Sequence, residues 1–457
     1  MERREFIRIG GIGTLLSSTI LPASGESYKS ESDHVKKENL FTPVKGKFDV
    51  IVCGGGPAGV VAAIEAGRSG AKTMLIEANG CLGGVWTSGL LTWIIDYQNK
   101  SGLLNEILHE LRKRGAECSI DIEGAYSFDP ESMKLLLEEF CIEAGVTIRF
   151  HTRVCNAITE NYRLTHAITE SKSGREAWNA SIFIDATGDG DLAALSGCGF
   201  DFGDTANNGL TQPFSLLAII GGVNFDDIKD YSLWSGIGMA ESKKNLLTAI
   251  QNGGFEPSYR SPSIHPISNN LFKIMANHEY GYSAINADDV SKATLIGRKE
   301  VWQTVEALKN NGGIWENIRI ISTAEQIGTR EGRRIHGLYT VTVQDVIEGR
   351  RHKDSVCRAS FGFDVHALTK LHSENSHNYK GFLKSQPYDI PLRALIAKDV
   401  NGLMLAGRCI SGDFLPHASY RVTGNAAEMG FAAGRVAAIS ARLNKLPQEV
   451  IFSEFQL

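Results

Sequence analysis

The sequence predicts an α/β fold: a Rossmann-like nucleotide domain interrupted by an inserted α+β block. Three observations predict it. Residues 48–84 read as strand, glycine turn, helix, second strand and acidic terminus. A later apolar strand at 182–185 runs into a glycine turn beside acids, and another at 403–406 does the same before a helix rich in small residues. Strands that stop in glycine turns are where an open α/β sheet presents ligands, at the carboxyl ends.

The first element is the most specific. Residues 48–53 are almost continuously apolar, as a parallel strand buried on both faces requires. Gly54, Gly56 and Gly59 then form GxGxxG: the first permits a tight turn, the second lets backbone approach a pyrophosphate, and the third lets helix pack closely on strand. Pro57 suits a first helical turn, where a missing N–H costs nothing, and Ala58 follows it. Unpaired N–H groups and the helix dipole attract a diphosphate there, each charge gaining about 0.3–1 kcal/mol. The second strand, 73–76, ends at Glu77, whose carboxylate accepts hydrogen bonds from ribose hydroxyls and repels a 2′-phosphate. In a chain with 48 glycines the spacing alone decides nothing, but its place between an apolar strand and a helix does.

Composition narrows the class. With 457 residues the chain buries a large core, and a formal charge of −5 leaves no basic surplus for a nucleic-acid partner. Arg3 and Arg4, followed by Phe6, Ile7 and Arg8, resemble the twin-arginine export pattern. Residues 9–21 are too short to span a bilayer, and small residues at 23–25 offer a cleavage site, so an exported, periplasmic protein without a stable membrane span is expected. Such a protein would not meet a cytosolic nicotinamide pool, which favours a tightly held FAD. Eight cysteines show no CxxC; Cys81 beside the nucleotide loop and Cys409 leave a redox role open. Twelve histidines show no HExxH or paired Cys/His spacing, so no metal is expected, and no GxSxG elbow supports a serine nucleophile.

The remaining elements follow in order. Gly83, Gly84 and Thr87 continue a small-residue loop able to pass under a flat ring. A helix is read over 103–114, and another opens with Asp129 as N-cap and Pro130 in its first turn, with Met133, Leu136, Leu137 and Phe140 as its core stripe. A strand at 146–150 leads into a small antiparallel meander, which ends in the turn containing Ala186 and Gly188. From about 200 the pattern changes to glycine turns, helical pieces near 293–310 and a strand candidate at 318–322, read as a substrate cap. Its most charged stretch is 329–337; if extended, it sends Arg333 and Arg334 to opposite faces, so one of them faces a site. Arg333 is the candidate, as a substrate anchor or a stabiliser of negative charge. Nucleotide-domain character returns with Gly407 and Asp413 in a strand-terminal turn, then Gly424, Asn425 and Ala426 opening the last helix. The expected organisation is signal peptide 1–25, polar linker 26–47, nucleotide domain 48–200 and 387–445, and cap 201–386.

Taken together, CGGGPAGVVAAIEAGRSGAKTMLIEANGCLGG, FIDATGDGDLAALSG, TREGRRIHG, IPLRALI and MLAGRCISGDF with GFAAG resemble the FAD-dependent oxidoreductases whose nucleotide domain is similar to that of fumarate reductase flavoproteins. The resemblance implies a glutathione reductase-like or fumarate reductase-like FAD domain. It implies that Gly54, Gly56, Ala58 and Gly59 wrap the pyrophosphate, Glu77 holds the adenosine ribose, and Gly83, Gly84 and Thr87 pass near diphosphate and flavin. Val154 would contact adenine through its backbone with Ala186 to Gly188 beside it, Asp413 would hold the ribitol side, and residues 424–426 would approach the pyrimidine. The arginine motif of fumarate reductases is not matched in the cap, so that activity does not carry over.

The expected function is hydride transfer between flavin N5 and a small organic substrate, a sugar-like alcohol being one candidate, with an external electron acceptor or donor. His417 is the acid–base candidate between the Asp413 turn and the last helix, with Tyr420 and Arg421 as substrate-binding candidates. A flavin reductase of an unsaturated acid, and a flavin-binding electron-transfer or assembly subunit, are the rival readings.

Overall fold

The computed structural model describes residues 41–100, 102–118, 125–233, 236–371 and 383–451. The expected signal peptide and most of the expected linker lie outside the described residues. Strand β1 (Val44–Cys53) starts four residues before the predicted strand, because Val44 and Gly46 already pair with Ala177 and Trp178. The turn leads into helix α1 (Pro57–Arg68) and strand β2 (Thr73–Ile76). A short hairpin, β3 (Trp93–Ile95) with β4 (Ala125–Ser127), brackets helix α2 (Leu103–Lys113). Helix α3 (Pro130–Glu143) is capped as the sequence indicates: the Ser132 N–H donates to Asp129 Oδ1 at 2.7 Å.

Strand β5 (Thr147–Arg149) then joins β2 in parallel, and β6 (Arg153–Glu160), β7 (Arg163–Ser171) and β8 (Gly174–Asp185) form the predicted meander. The last of these has two roles. Its first half runs antiparallel to β7, while its second half runs parallel to β1. The order is β5-β2-β1-β8-β7-β6, and α4 (Asp191–Leu195) follows β8.

Strand β9 (Phe200–Asp201) leads to a second sheet of β10 (Ala218–Gly221), β11 (Ser263–Ser268), β12 (Leu271–Met275) and β13 (Arg319–Thr323), ordered β11-β12-β10-β13 and antiparallel throughout. Helices α5 (Phe225–Ile228), α6 (Met239–Asn252) and α7 (Ala287–Asn310) accompany it. The side chains of this block close their own core between Phe214 and Ile327, which also takes Leu90 from the loop after Thr87.

The chain returns through β14 (Arg334–Ile335), which pairs with β9, then α8 (Val343–Glu348), and the two-stranded β15 (Ser355–Ala359) and β16 (Tyr388–Pro391). Ile335, Val341, Val346, Val356 and Cys357 pack into the first core, so residues 335–357, read from sequence as part of the cap, contribute side chains to the nucleotide side. Strand β17 (Leu403–Leu405) lies parallel beside β8. Helices α9 (Phe414–Tyr420) and α10 (Thr423–Leu443) follow. A Cβ on Gly430 or Gly434 would stand 2.1 or 2.2 Å from the carbonyl oxygens of Ala58 and Ala62, so the small-residue face of α10 serves to press it onto α1.

The parallel registers place Cys53 beside both Ile76 and Asp185, and Asp185 beside Leu405. Three separated glycine turns and the Glu77 terminus therefore emerge along one edge of the sheet.

Candidate functional site

At this edge the three glycines of the first turn divide their duties. Gly54 has φ +97°, and a Cβ there would meet the Ala186 carbonyl oxygen at 2.4 Å; one on Gly59 would stand 1.8 Å from the Gly54 oxygen. A Cβ on Gly56 would meet nothing within 4 Å. Two of these glycines are fixed by packing and the third fronts open space, which is the cradle a pyrophosphate needs. Pro57 opens α1 and buried Ala58 follows.

Glu77 is buried beside the turn: Oε2 accepts the Gly55 N–H at 2.6 Å and Oε1 the Asn79 N–H at 2.7 Å. Burial raises its carboxyl pKa, and these N–H donors pull it back. Two oxygens with one N–H each retain lone pairs for hydroxyls. The Thr152 N–H donates to the Glu77 carbonyl at 3.0 Å, which brings the start of β6, with half-buried Val154, to this end of the sheet. Gly83 and Gly84 have φ +104° and +51°; the Gly83 N–H donates to the Gly55 carbonyl at 2.8 Å, so the two loops interlock. Thr87 Oγ1 donates to the Leu82 carbonyl at 2.5 Å and closes that loop. Cys81 Sγ lies 3.2 Å from Ser88 Oγ in the same loop.

The Ala186 N–H donates to the Cys53 carbonyl, and fully buried Asp185 accepts from Thr187 and from the Ala193 N–H, tying the second turn to α4. Burial pushes the Asp185 carboxyl up to about 6. Gly188, φ +83°, makes room for Arg408, which pairs with Asp189 at 2.8 Å. In the third turn Gly407, φ +85°, stands against Ala58. Cys409 is fully buried, its thiol pKa pushed well up by burial, which keeps it protonated and unreactive.

Asp413 is exposed as the N-cap residue of α9. His417 is fully buried, and neither ring nitrogen has a hydrogen-bond partner among the described residues. Burial and then Arg334, Arg421 and Arg408 hold its pKa well below the ordinary value. Burial and these charges favour a neutral imidazole at His417. The Tyr420 hydroxyl donates to the Ile410 carbonyl at 3.2 Å. Arg333 pairs with Asp191 at 2.8 Å and donates to the Asp189 carbonyl, while Arg334 points the other way and donates to the carbonyls of Gly412 and Gly203. Gly424 presses α10 onto the carbonyls of Ile95 and Asp96, and the buried Asn425 Nδ2 and Thr423 Oγ1 at this helix start have no partner among the described residues. Ala426 is buried one residue on.

The structure adds a polar cluster that sequence reasoning missed. Arg421 Nη2 donates to the Asp364 carbonyl at 2.8 Å and to Gln212 Oε1 at 3.3 Å. Gln212 is held by buried Glu331, and its Oε1 also accepts the His366 N–H. His366 Nε2 lies 3.3 Å from Asp364 Oδ2 and edge-on to His278, on which Tyr259 stacks at 3.8 Å between ring centroids. Arg330 donates to Pro213, Ser215 and His278 Nε2. Burial first, then neighbouring arginines, pushes His366 down to about 3 and His278 well below its ordinary value. These groups come from separate loops, so spacing could not find them; the charged stretch 329–337 was the available signal, and it drew notice to Arg333 rather than Arg330.

Among the described residues no group of three or more His, Cys, Asp or Glu side chains is arranged to hold a metal, and no helix is long and apolar enough to cross a membrane.

The family described as FAD dependent oxidoreductase matches residues 49–457. The chain belongs to that family. As a FAD-dependent oxidoreductase it carries FAD, and the open cradle at Gly56, the Glu77 carboxylate and the orphaned donors at Thr423 and Asn425 fit that group. The curated relatives match only in short stretches. Dihydrolipoamide dehydrogenase of Chaetomium thermophilum is 42% identical over 69 residues, 15% of this chain and 14% of that protein. Dihydrolipoyl dehydrogenase of Trypanosoma brucei brucei is 52% identical over 42 residues, 9% of each. Among solved structures, a geranylgeranyl bacteriochlorophyll reductase-like protein from Thermoplasma acidophilum is similar with a TM-score of 0.49 and 14% identity, covering 90% of this oxidoreductase and 82% of that chain. The flavin-dependent brominase Bmp2 is similar at 0.44 and 14%, covering 87% and 80%.

Proposed function

We propose that this oxidoreductase moves a hydride between flavin N5 and a small organic substrate, a sugar-like alcohol being the leading candidate, and exchanges electrons with an external partner. The observation that carries the proposal is Arg421: it stands between α9 and the start of α10, and it bonds to Gln212 and Asp364, which belong to the polar cluster. Its buried Nε has no partner among the described residues and so retains a donor for a ligand.

Bound FAD supplies a two-electron acceptor at N5. Around it we assign Gly54, Gly56, Pro57, Ala58 and Gly59 to the diphosphate, Glu77 to ribose, Val154, Ala186 and Gly188 to the adenosine side, Gly83, Gly84, Thr87, Gly407 and Asp413 to the middle, and Gly424, Asn425 and Ala426 to the flavin end. Arg421 binds substrate. His417, held neutral, offers one ring nitrogen as an acceptor and the other as an N–H donor, and does not act as an imidazolium acid near neutrality. Tyr420 and Arg333, engaged with Ile410 and Asp191, support the walls.

A reductase of an unsaturated acid is the second reading, favoured because Arg330 has hydrogen bonds to neutral partners and no carboxylate within ion-pair distance among the described residues. Anaerobic spectra decide: bleaching of oxidised flavin by polyols supports the first reading, reoxidation of reduced flavin by unsaturated acids supports the second, and silence to both leaves an electron-transfer subunit. We further propose twin-arginine export to the periplasm, supported by Arg3, Arg4 and Phe6. Changing both arginines to lysine should retain the protein inside the cell; export at the unchanged level would refute it.

A further inference from the structure

The cap cluster contains a chain of hydrogen bonds whose direction is fixed by chemistry. Arg330 has no acceptor, so at 3.1 Å its Nη2 donates to His278 Nε2. That nitrogen therefore carries the lone pair, and the imidazole proton sits on Nδ1, 3.2 Å from the Tyr280 hydroxyl oxygen. His278 is otherwise over-determined. Its backbone N–H donates to Ser258 Oγ at 2.8 Å, Tyr259 stacks on one face of its ring, and His366 meets it edge-on. His278 is 3% exposed, whereas Tyr280 is half-buried, so the chain runs outward from the interior to the Tyr280 phenol.

We propose that Tyr280 is the proton-exchanging group of the substrate site, and that Arg330 and His278 are positioning residues that keep its oxygen under a fixed N–H donor. This rests on the hydride-transfer reading above. A phenol oxygen that accepts an N–H hydrogen bond gives up its proton more readily, and the Arg330 charge behind the imidazole strengthens that donor. In alcohol oxidation the substrate O–H bond breaks as its proton joins the Tyr280 phenolate. Bound FAD would accept the C–H electron pair with its hydrogen, and the double bond would form between the substrate's own carbon and oxygen. Reduction of a carbonyl runs the same steps backwards. Among the described residues, the charged and titratable groups that act on His278 and Arg330 besides Tyr280 are Arg421, Asp364, His366 and Tyr259. His278 never needs to change charge, because Arg330 opposes a second proton on it.

The test compares the FAD-loaded full chain with three variants. Tyrosinate absorbance should show one phenol ionising at least about one pH unit below the ordinary value near 10, and Tyr280→Phe should remove it. His278→Leu should move that ionisation upward, and the pH at which flavin bleaching speeds up should move with it. His278→Gln, which keeps an N–H donor, should restore much of the shift, and Arg330→Gln replaces the leucine variant if that one does not fold. Tyr280→Phe should slow bleaching by about 100-fold or more with FAD content unchanged. No early-ionising phenol, or a Tyr280→Phe protein bleached at the wild-type rate, overturns the proposal. If no substrate bleaches the wild-type flavin, the hydride-transfer reading fails, and the tyrosinate titration still decides the relay.

Discussion

His417 shows what one residue's surroundings do to its chemistry. Its position between the Asp413 turn and the last helix was legible, but its neutrality was not, because it follows first from burial in the assembled chain and then from Arg334 and Arg408, which reach it from other segments to join Arg421 on its own helix. The same holds for Arg333 and Arg334: alternation showed that they face opposite ways, while only the fold shows Arg333 spent on Asp191. A consequence follows for stability. With its folded pKa below the unfolded value near 6.5, His417 is protonated first in the unfolded chain as pH falls. Stability is intact above that value and declines below it by about 1.4 kcal/mol per pH unit for this group. His417→Asn should flatten the acid limb of a denaturant-measured stability profile by that slope; an unchanged limb would mean that the folded protein accommodates the imidazolium.

Among elements, the first glycine turn was the most legible, because each of its residues answers a local steric demand. The turn also allows a sharp contrast. Gly59→Ala places a Cβ against the Gly54 oxygen and should cost about 3 kcal/mol or prevent folding. Gly56→Ala meets no protein atom within 4 Å, so thermal unfolding of the FAD-free protein should be unchanged while FAD affinity drops. Equal losses of stability in both variants would count against Gly56 as the cradle. Other elements were legible in part. The small residues of α10 announced a close approach, but not that the partner is α1, since that contact joins Gly430 and Gly434 to Ala58 and Ala62 across the whole sequence. Strand β8 looked like the end of a meander; its parallel pairing with β1 and β17 arises from partners that local periodicity cannot reveal.

For the whole molecule, the pattern of an α/β sheet broken by an inserted block was visible because apolar strands ending in glycine turns recur at both ends of the chain. The block's edge was less so: residues from Ile335 onward share the first core, and no composition change marks that return. The Arg330–His278–Tyr280 cluster was not legible because Arg330 meets the neighbouring pair His278 and Tyr280 from a segment 52 residues further along, a contact that only the assembled chain makes. All of these assignments depend on the sheet edge holding one dinucleotide. The direct measurement is the flavin released by denaturing the purified, reconstituted protein, identified and counted per chain. The account predicts FAD rather than FMN, at about one molecule per chain as a single GxGxxG unit dictates. Folded protein that stays colourless and takes up no FAD would contradict it.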